Sequence, residues 1–173
     1  MTAAWDFTAD GLRDAGFEGF VRFDDLPGAR VPVAPGVYVV LRMGVSSPVF
    51  REASTAGRFK GKDPSVALER LASKWVPSTE VLYIGKASAR KGGRAALRKR
   101  LDEYRRHGGG EPGGHWGGRL IWQLADCDDL RVAWRVSDTD DAEELEAELL
   151  DAFVERYGTL PFANLKRGTR RVV

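Results

Sequence analysis

The sequence is poor in the residues that crosslink a chain or bind soft metals. Its 173 residues include one cysteine, Cys127, and two histidines, His107 and His115. A single cysteine forms no internal disulfide, which favours a reducing, cytoplasmic setting, and so few thiol and imidazole groups argue against a zinc module. The sequence therefore predicts a core that is held together by packing and not by crosslinks.

Long apolar runs are also missing. The longest, Val37–Leu41, is far too short to cross a bilayer, and Met1–Asp10 has neither the basic nor the apolar region of a secretory signal. We therefore expect no membrane partner. Apolar residues still make up 43% of the chain, which is enough for a core, and the length predicts a single domain over residues 1–173.

A net charge of +2 conceals a strong segregation of charge along the chain. Lys86–Arg106 carries nine basic and two acidic residues, whereas Asp138–Glu155 carries nine acidic residues and no basic ones. A basic stretch of this density favours a polyanionic partner such as nucleic acid. The alternative is a solvated helix whose charges pair with an acidic neighbour.

Strand and helix signals are mixed along the chain. Strands are predicted at Phe20–Phe23, Gly36–Met43, Glu80–Gly85, Arg119–Leu124 and Leu130–Val136. Helices are predicted at Asp10–Phe17, from an N-cap at Asp63-Pro64 through Ala72, at Gly92–His107, and from Asp140 or Asp141 through Tyr157, where Gly158 ends the helix. This order predicts an α/β fold of the α+β sandwich type, in which helices flank a small, mainly antiparallel central sheet.

Four separated pieces of the sequence occur in the order of one known pattern. They are Gly36-Val37-Tyr38, Tyr83-Ile84-Gly85-Lys86, Arg100 in LRKRLDEY, and Ala142-x-x-Leu145-Glu146 followed by Asn164. Together they resemble the GIY-YIG nuclease superfamily over about residues 33–166. The resemblance implies a small antiparallel sheet flanked by helices and divalent-metal-dependent hydrolysis of DNA phosphodiester bonds. It implies DNA as the partner and one Mg²⁺ or Mn²⁺ ion as the cofactor, and it leaves open whether the DNA is single-stranded, double-stranded or branched and whether the protein is a homodimer.

The same resemblance assigns the catalytic residues by their positions in the motifs. They are Tyr38, Tyr83, Arg100, Glu146 and Asn164, with Glu146 as the metal ligand. Five further residues are predicted to bind phosphate or DNA: Gly85, Lys86, Arg98, His115 and Arg119. Asn164 is expected either to anchor the end of the long helix to the site or to touch phosphate.

Helical spacing supports Glu146 among the many acids of its helix. Glu146 shares a stripe with apolar residues such as Ala142 and Leu149, whereas Glu148 falls with Glu144 and other acids that we expect to be solvated. Glu148 is therefore only the reserve candidate. A single inward carboxylate favours one Mg²⁺ ion that completes its shell with water and phosphate oxygens.

The remaining groups leave two points open. A tyrosine is expected to orient or deprotonate the attacking water, and because a free phenol has a pKa near ~10, base action requires a nearby cation such as Lys86 or the metal. Arg100 lies on the face of its helix that packs on the sheet, where its guanidinium fits either a phosphate or an internal ion pair, for example with Glu146.

The chain departs from the family pattern between the two tyrosine motifs. Val39–Leu82, 44 residues, separates them, so we predict a catalytic core over residues 33–168 with an insertion at about 44–79, preceded by an N-terminal extension over 1–32. The insertion is expected to be a DNA-recognition flap or a lid, or else to disturb the site. The alternative function is a catalytically inactive nucleic-acid-binding module of the same fold. A weaker alternative is an enzyme acting on another phosphorylated substrate, although no nucleotide-cradling motif is present.

Overall fold

The architecture is one antiparallel sheet with helices on both faces. The computed structural model describes residues 4–89 and 96–167, and of residues 139 and 140 it describes only the backbone. The strands are β1 (Glu18–Arg22), β2 (Gly36–Leu41), β3 (Val81–Ala87) and β4 (Arg131–Val136), and they lie in the order β1-β4-β2-β3. The helices are α1 (Ala9–Asp14), α2 (Leu68–Lys74), α3 (Ala96–Gly108) and α4 (Thr139–Tyr157). The predicted small antiparallel sheet flanked by helices is confirmed.

Each face of the sheet has its own core. Successive side chains of a strand point to opposite faces, so Val37, Val39 and Leu41 of β2 pack toward α1 and α4, which we call the α4 face. Tyr38 and Val40 pack toward α3, which we call the α3 face. All five side chains are buried, and removing one Val or Leu side chain from water contributes roughly 1.5–3 kcal/mol to folding.

The two tyrosine motifs are on neighbouring strands despite the long segment between them. β2 pairs with β3, and Tyr38 lies directly opposite Gly85. The register shifts next to Val40, so that Val40 pairs with Tyr83 and Leu41 pairs with Val81. Leu82 is the extra residue of this bulge, and both Leu82 and Tyr83 belong to the core of the α3 face. The insertion therefore leaves the two motifs paired.

The insertion is fastened to the rest of the chain by one buried amide. Nε2 of Gln123 donates to the carbonyls of Val66 at 2.9 Å and Arg51 at 3.1 Å, and Oε1 of Gln123 accepts from the Val66 N–H at 2.9 Å. The helix predicted from Asp63-Pro64 begins only at Leu68, because the Asp63 carboxylate closes a turn with the N–H of Ser65 and Val66 pairs with Gln123.

The strand predicted at Arg119–Leu124 is wrong. This segment belongs to a 3₁₀ helix, Trp116–Gln123, whose residues from Gly118 onward are buried. A short apolar run that is buried on all sides has the same composition in a strand as in a helix, so periodicity alone does not separate them. Smaller differences are that β3 continues through Gly85 to Ala87 and that Phe23 begins a 3₁₀ segment, Phe23–Gly28.

The two ends of α4 test the predicted helix signals. The helix begins at Thr139 with Asp138 as its N-cap, earlier than the predicted Asp140 or Asp141. Gly158 ends it in the left-handed conformation with φ 76°, which confirms the predicted stop.

The predicted start of α3 at Gly92 lies outside the described residues. Over residues 4–89 and 96–167, no helix is both long enough and apolar enough to cross a membrane.

The N-terminal extension forms part of the sheet. β1 pairs with β4, and Leu12 of α1 is buried in the same core as Phe153 of α4. Helix α1 begins where Oγ1 of Thr8 accepts a hydrogen bond from the N–H of Gly11 at 3.1 Å. The extension therefore covers the α4 face and completes the edge of the sheet beyond β4.

Candidate active site

The α3 face contains a cluster of four buried rings, which we call the aromatic cluster: Tyr38, Tyr83, Tyr104 and His115. The rings of Tyr104 and His115 are stacked, with centroids 3.6 Å apart and planes at 9°. The rings of Tyr38 and Tyr83 have centroids 6.1 Å apart. The Tyr38 hydroxyl is hydrogen-bonded to Nε2 of His115, and the Tyr104 hydroxyl donates to the carbonyl of Gly118 at 2.7 Å. Strands β2 and β3, helix α3 and the glycine-rich loop at residues 108–118 thus meet at one point.

His115 does not occupy the exposed position that a DNA contact needs. Its side chain is fully buried, because Gly113 and Gly114 adopt positive φ values of 85° and 80° and turn the loop back onto α3. This burial gives no support to the predicted DNA contact of His115, which stays a prediction. The sequence analysis also missed Tyr104 as a member of the cluster, and its only signal was a buried position on the face of α3 that carries Leu97 and Leu101.

Burial makes both motif tyrosines neutral phenols. It raises the pKa of Tyr38 well above its ordinary value and raises the pKa of Tyr83 to about 12. The charge of Arg100 acts in the opposite direction on both pKa values but is the smaller effect. The expected phenolate is thus not favoured at neutral pH. Tyr83 is the tyrosine nearer to solvent, with 9% of its surface exposed against none for Tyr38.

Arg100 lies at the margin of the aromatic cluster. About a third of its side chain, 32%, is exposed, and its Nη1 lies 3.6 Å from Oε2 of Glu103. A side-chain hydrogen bond with Arg100 lowers the pKa of Tyr38. The expected alternative of an ion pair with Glu146 is wrong, because Arg100 pairs with Glu103 on its own helix.

Glu146 faces inward from α4, as its helical stripe predicts. Its side chain is 13% exposed, and its Oε2 lies 3.5 Å from Nζ of Lys86. Burial raises the pKa of Glu146, and the charge of Lys86 partly offsets this. The negative charge of Glu146 in turn raises the pKa of Tyr38 and of Tyr83, so its carboxylate lies within electrostatic range of the aromatic cluster.

The neighbours of Glu146 separate the candidate acids of α4. Glu143, which the sequence analysis did not single out, accepts a hydrogen bond from Nζ of Lys86 at 2.8 Å. Glu148 instead accepts a hydrogen bond from the indole N–H of Trp5 at 3.0 Å. Its carboxylate is thus held by the N-terminal segment, so Glu146 remains the better candidate.

Asn164 ties the segment that follows α4 to strand β3. Its Nδ2 donates to the carbonyl of Ile84 at 2.8 Å, and its Oδ1 accepts from the N–H of Ile84 at 2.9 Å. Because β3 is an edge strand, this pair continues the backbone ladder beyond the sheet. Of the two expected roles, anchoring fits this geometry, and the phosphate contact and a catalytic role do not.

Gly85 is required by the packing of Tyr38. A Cβ atom at this position would lie 2.6 Å from Cζ of Tyr38 and 2.7 Å from Cε1 of Tyr83. The space directly above Gly85 is therefore filled by phenol rings and is not open to a phosphate. The predicted phosphate contact at Gly85 is not supported.

The other predicted phosphate ligands are not members of the aromatic cluster. Lys86 points toward α4, where the two glutamates hold it. Arg98 is exposed, and its Nε donates to the carbonyl of Val31 at 3.2 Å. Arg119 is largely buried, and its guanidinium lies 4.2 Å from the ring centroid of Trp116.

The available metal ligands are carboxylate oxygens. Within the part of the chain that the structure describes, no group of three or more His, Cys, Asp or Glu side chains is close enough to bind one ion. Glu143 and Glu146 lie one helical turn apart and both contact Lys86. Such a pair fits Mg²⁺ that shares substrate phosphates, because Mg²⁺ often has only one or two protein carboxylates and several waters.

Comparisons with known proteins give no further assignment. No protein-family model, no curated protein and no solved structure matches this chain.

Proposed function

We propose that the protein is a divalent-metal-dependent endonuclease that hydrolyses DNA phosphodiester bonds at the site formed by Tyr38, Tyr83, Arg100 and Glu146. The observation that carries this proposal is the convergence of these groups from β2, β3, α3 and α4, which are far apart in the sequence. Buried hydroxyl and carboxylate groups cost stability unless they are well paired, so packing alone does not account for such a cluster.

Arg100 is the group best suited to the phosphate. Its guanidinium is partly exposed, always charged and fixed beside Tyr38 and Tyr83, and its planar fork matches two phosphate oxygens. We expect it to stabilise the negative charge that grows on the phosphoryl oxygens during attack. Removing one such preorganised donor typically lowers the rate by about 10²–10³-fold.

Tyr83 is the group best suited to the attacking water. The Tyr38 hydroxyl is hydrogen-bonded to Nε2 of His115, whereas Tyr83 is the tyrosine nearer to solvent. A phenol oxygen has lone pairs that accept a hydrogen bond, so the Tyr83 hydroxyl is the one placed to hold a water molecule. Tyr38 and His115 act as positioning residues behind it.

Glu146, together with Glu143, would hold a Mg²⁺ or Mn²⁺ ion. When bound, the ion would supply charge that neutralises the phosphate and its leaving oxygen. Both carboxylates contact the Lys86 ammonium, so Lys86 must share them with the ion or move aside. Because a single buried cysteine suits a reducing compartment, we further propose a cytoplasmic location.

The contact between Lys86 and both glutamates also favours a second candidate function. An internal ammonium can replace a metal ion as the partner of two carboxylates. The protein would then be a nucleic-acid-binding module that keeps the fold without hydrolysis. It would bind DNA equally well with and without divalent metal.

Product formation separates the two functions. Wild-type protein is incubated with single-stranded, double-stranded and branched DNA in Mg²⁺, in Mn²⁺ or in EDTA, and the product ends are mapped. A nuclease gives metal-dependent products with defined ends from at least one substrate. Binding without products in either metal would support the inactive module and overturn the proposed hydrolysis.

A further inference from the structure

The half-buried Trp116 and the largely buried Arg119 form a stacked pair next to His115 of the aromatic cluster. In a 3₁₀ helix, residues three apart lie above one another, so the helix Trp116–Gln123 places Arg119 over Trp116. The guanidinium lies 4.2 Å from the ring centroid, and Nη1 of Arg119 donates to the Trp116 carbonyl at 3.2 Å.

The insertion adds a second ring and a second cation to this pair. Phe59 lies beside Trp116, with ring centroids 5.7 Å apart. Phe59 begins a tight turn whose central residues, Lys60 and Gly61, have φ values of 49° and 75°. A lysine in the left-handed region is uncommon, and here it places Nζ of Lys60 at 5.4 Å from the centroid of the Phe59 ring.

Helix α2 adds two further cations, Arg70 within electrostatic range of Arg119 and Lys74 within range of Arg70. The charge of Arg70 lowers the pKa of Arg119 and of Lys74, after burial in each case. We call the whole group the cationic-aromatic patch, and its members are Phe59, Lys60, Arg70, Lys74, Trp116 and Arg119. Among residues 4–89 and 96–167, none of its four cations has a carboxylate within ion-pair distance. The nearby Asp63 instead lies 4.0 Å from Arg58.

Arg119 gives the strongest sign that an anion is missing. Only 8% of its surface is exposed, and its Nε has no hydrogen-bond partner in the described structure. A guanidinium that is removed from water without a counterion is costly, and an added phosphate would offset that cost. Half-buried aromatic rings beside such cations are also the usual platform for unpaired bases.

The cationic-aromatic patch is continuous with the proposed catalytic site. Gly117 is exposed and follows Trp116 directly, and a Cβ atom at Gly117 would lie 3.8 Å from the Tyr83 hydroxyl. A nucleic-acid strand whose phosphate backbone passes Tyr83 and Arg100 therefore reaches the cationic-aromatic patch within a short distance.

We propose that the cationic-aromatic patch binds a single-stranded segment of nucleic acid next to the scissile phosphate, with the cations holding phosphates and the rings of Phe59 and Trp116 stacking an unpaired base. This inference rests on the proposed function, since it names the part of the substrate that the same site selects. The preferred substrates are then DNAs with unpaired strands and not fully paired duplexes.

Binding without cleavage tests the patch. The full chain is titrated into a fluorescein-labelled oligothymidylate, or into a matched duplex, in EDTA at several salt concentrations. The double variant Lys60→Asn, Arg70→Gln removes two exposed charges, and asparagine tolerates the left-handed turn. We expect about tenfold weaker binding to the single strand and a salt slope that is lower by about 1.4, since each phosphate contact to a single strand contributes about 0.7. Trp116→Ala is expected to weaken binding by about tenfold through lost stacking.

Arg13→Ala is the matched control. Arg13 is also a half-exposed arginine stacked on a ring, 4.3 Å from the centroid of Phe20, but it lies on α1 at a distant part of the chain. The proposal would be overturned if both patch variants bound the single strand as tightly as Arg13→Ala does. It would also be overturned if the wild type bound the duplex more tightly than the single strand. Cleavage by the wild type in Mg²⁺ is scored separately. If the wild type cleaves DNA and the patch variants bind as tightly as wild type, the patch proposal alone is overturned. If the patch variants bind more weakly but the wild type does not cleave, the nuclease proposal alone is overturned.

Discussion

The two faces of the sheet are built from the same strands but differ sharply in chemistry. On the α4 face, Val37, Val39 and Ile84 pack against apolar residues such as Leu149 and Phe153. On the α3 face, β2 and β3 bury two tyrosines, which α3 and the glycine-rich loop cover with Tyr104 and His115. The α4 face buries mainly apolar side chains, whereas the α3 face also buries hydroxyl and imidazole groups. This difference is what the proposed chemistry on the α3 face would require.

The difference also explains where the charged groups lie. The described cations and acids of the proposed site, Arg100, Lys86 and Glu146, come from the margins of the sheet. Each keeps contact with solvent, and the charges of Arg100 and Glu146 act on the buried tyrosines. Phenols inside and charged groups at the margin are the arrangement that the proposed hydrolysis requires.

The largest effect among the substitutions that probe this comparison is expected at Tyr83. Tyr83→Phe removes the hydroxyl that orients the water and keeps the ring in its packing. We expect the cleavage rate to fall by about 100-fold, in the range typical for loss of a positioned acid–base group, while the melting temperature changes little.

Tyr157→Phe is the matched control on the opposite face. Its ring packs against Phe153, with centroids 4.5 Å apart, but belongs to the α4 face. We expect its cleavage rate to stay within about twofold of wild type, because a hydroxyl far from the reacting atoms contributes no transition-state interaction. Equal cleavage rates for Tyr83→Phe and Tyr157→Phe would show that the two faces of the sheet do not differ in function.

A smaller effect is expected in the pH dependence of stability. Burial lowers the pKa of His115 well below its ordinary value, so the folded state binds this proton less readily than the unfolded state. The stability from neutral His115 is fully present above the unfolded pKa, near ~6.5, and is lost as the pH falls below it by up to about 1.4 kcal/mol per pH unit. His115→Gln keeps a polar partner for Tyr38 but removes this titration.

Denaturant unfolding of wild type and His115→Gln between neutral and mildly acidic pH measures that difference. We expect the free energy of unfolding of the wild type to fall more steeply as pH decreases. His107 is buried in both proteins and its pKa is also lowered, so its contribution cancels in the comparison. If the free energies of unfolding of the two proteins fell with equal slopes as pH decreases, His115 would be protonated or exposed in solution. This result would contradict the hydrogen bond between His115 and Tyr38.

The regular elements could be predicted from local signals. The β-branched run of β2 and the apolar stripe of α4 ending at Gly158 each determine an element by themselves. The 3₁₀ helix Trp116–Gln123 could not, because its apolar residues are buried by contacts from distant segments, including the insertion fastened at Gln123. Asp63 likewise resembles a helix cap but closes a turn, since Val66 bonds to Gln123.

The site could be predicted in part. Helical spacing selects Glu146 over Glu148, and strand alternation places Tyr38 on one face. Spacing carries no information on burial in a glycine-rich loop, so the place of His115 behind Tyr38 was missed. The same holds for Asn164, whose pairing with Ile84 depends on β3 being an edge strand.

The rate of metal-dependent DNA cleavage by Glu146→Gln, compared with Glu144→Gln, tests the central claim most directly. Both substitutions remove one negative charge from α4, but Glu144 is exposed, whereas Glu146 is largely buried and lies against Lys86. We expect Glu144→Gln to cleave like wild type and Glu146→Gln to lose at least about 100-fold in rate at an unchanged fold, in line with the loss of a group that stabilises the transition state. Equal cleavage rates for these two variants would contradict a nuclease site centred on Glu146.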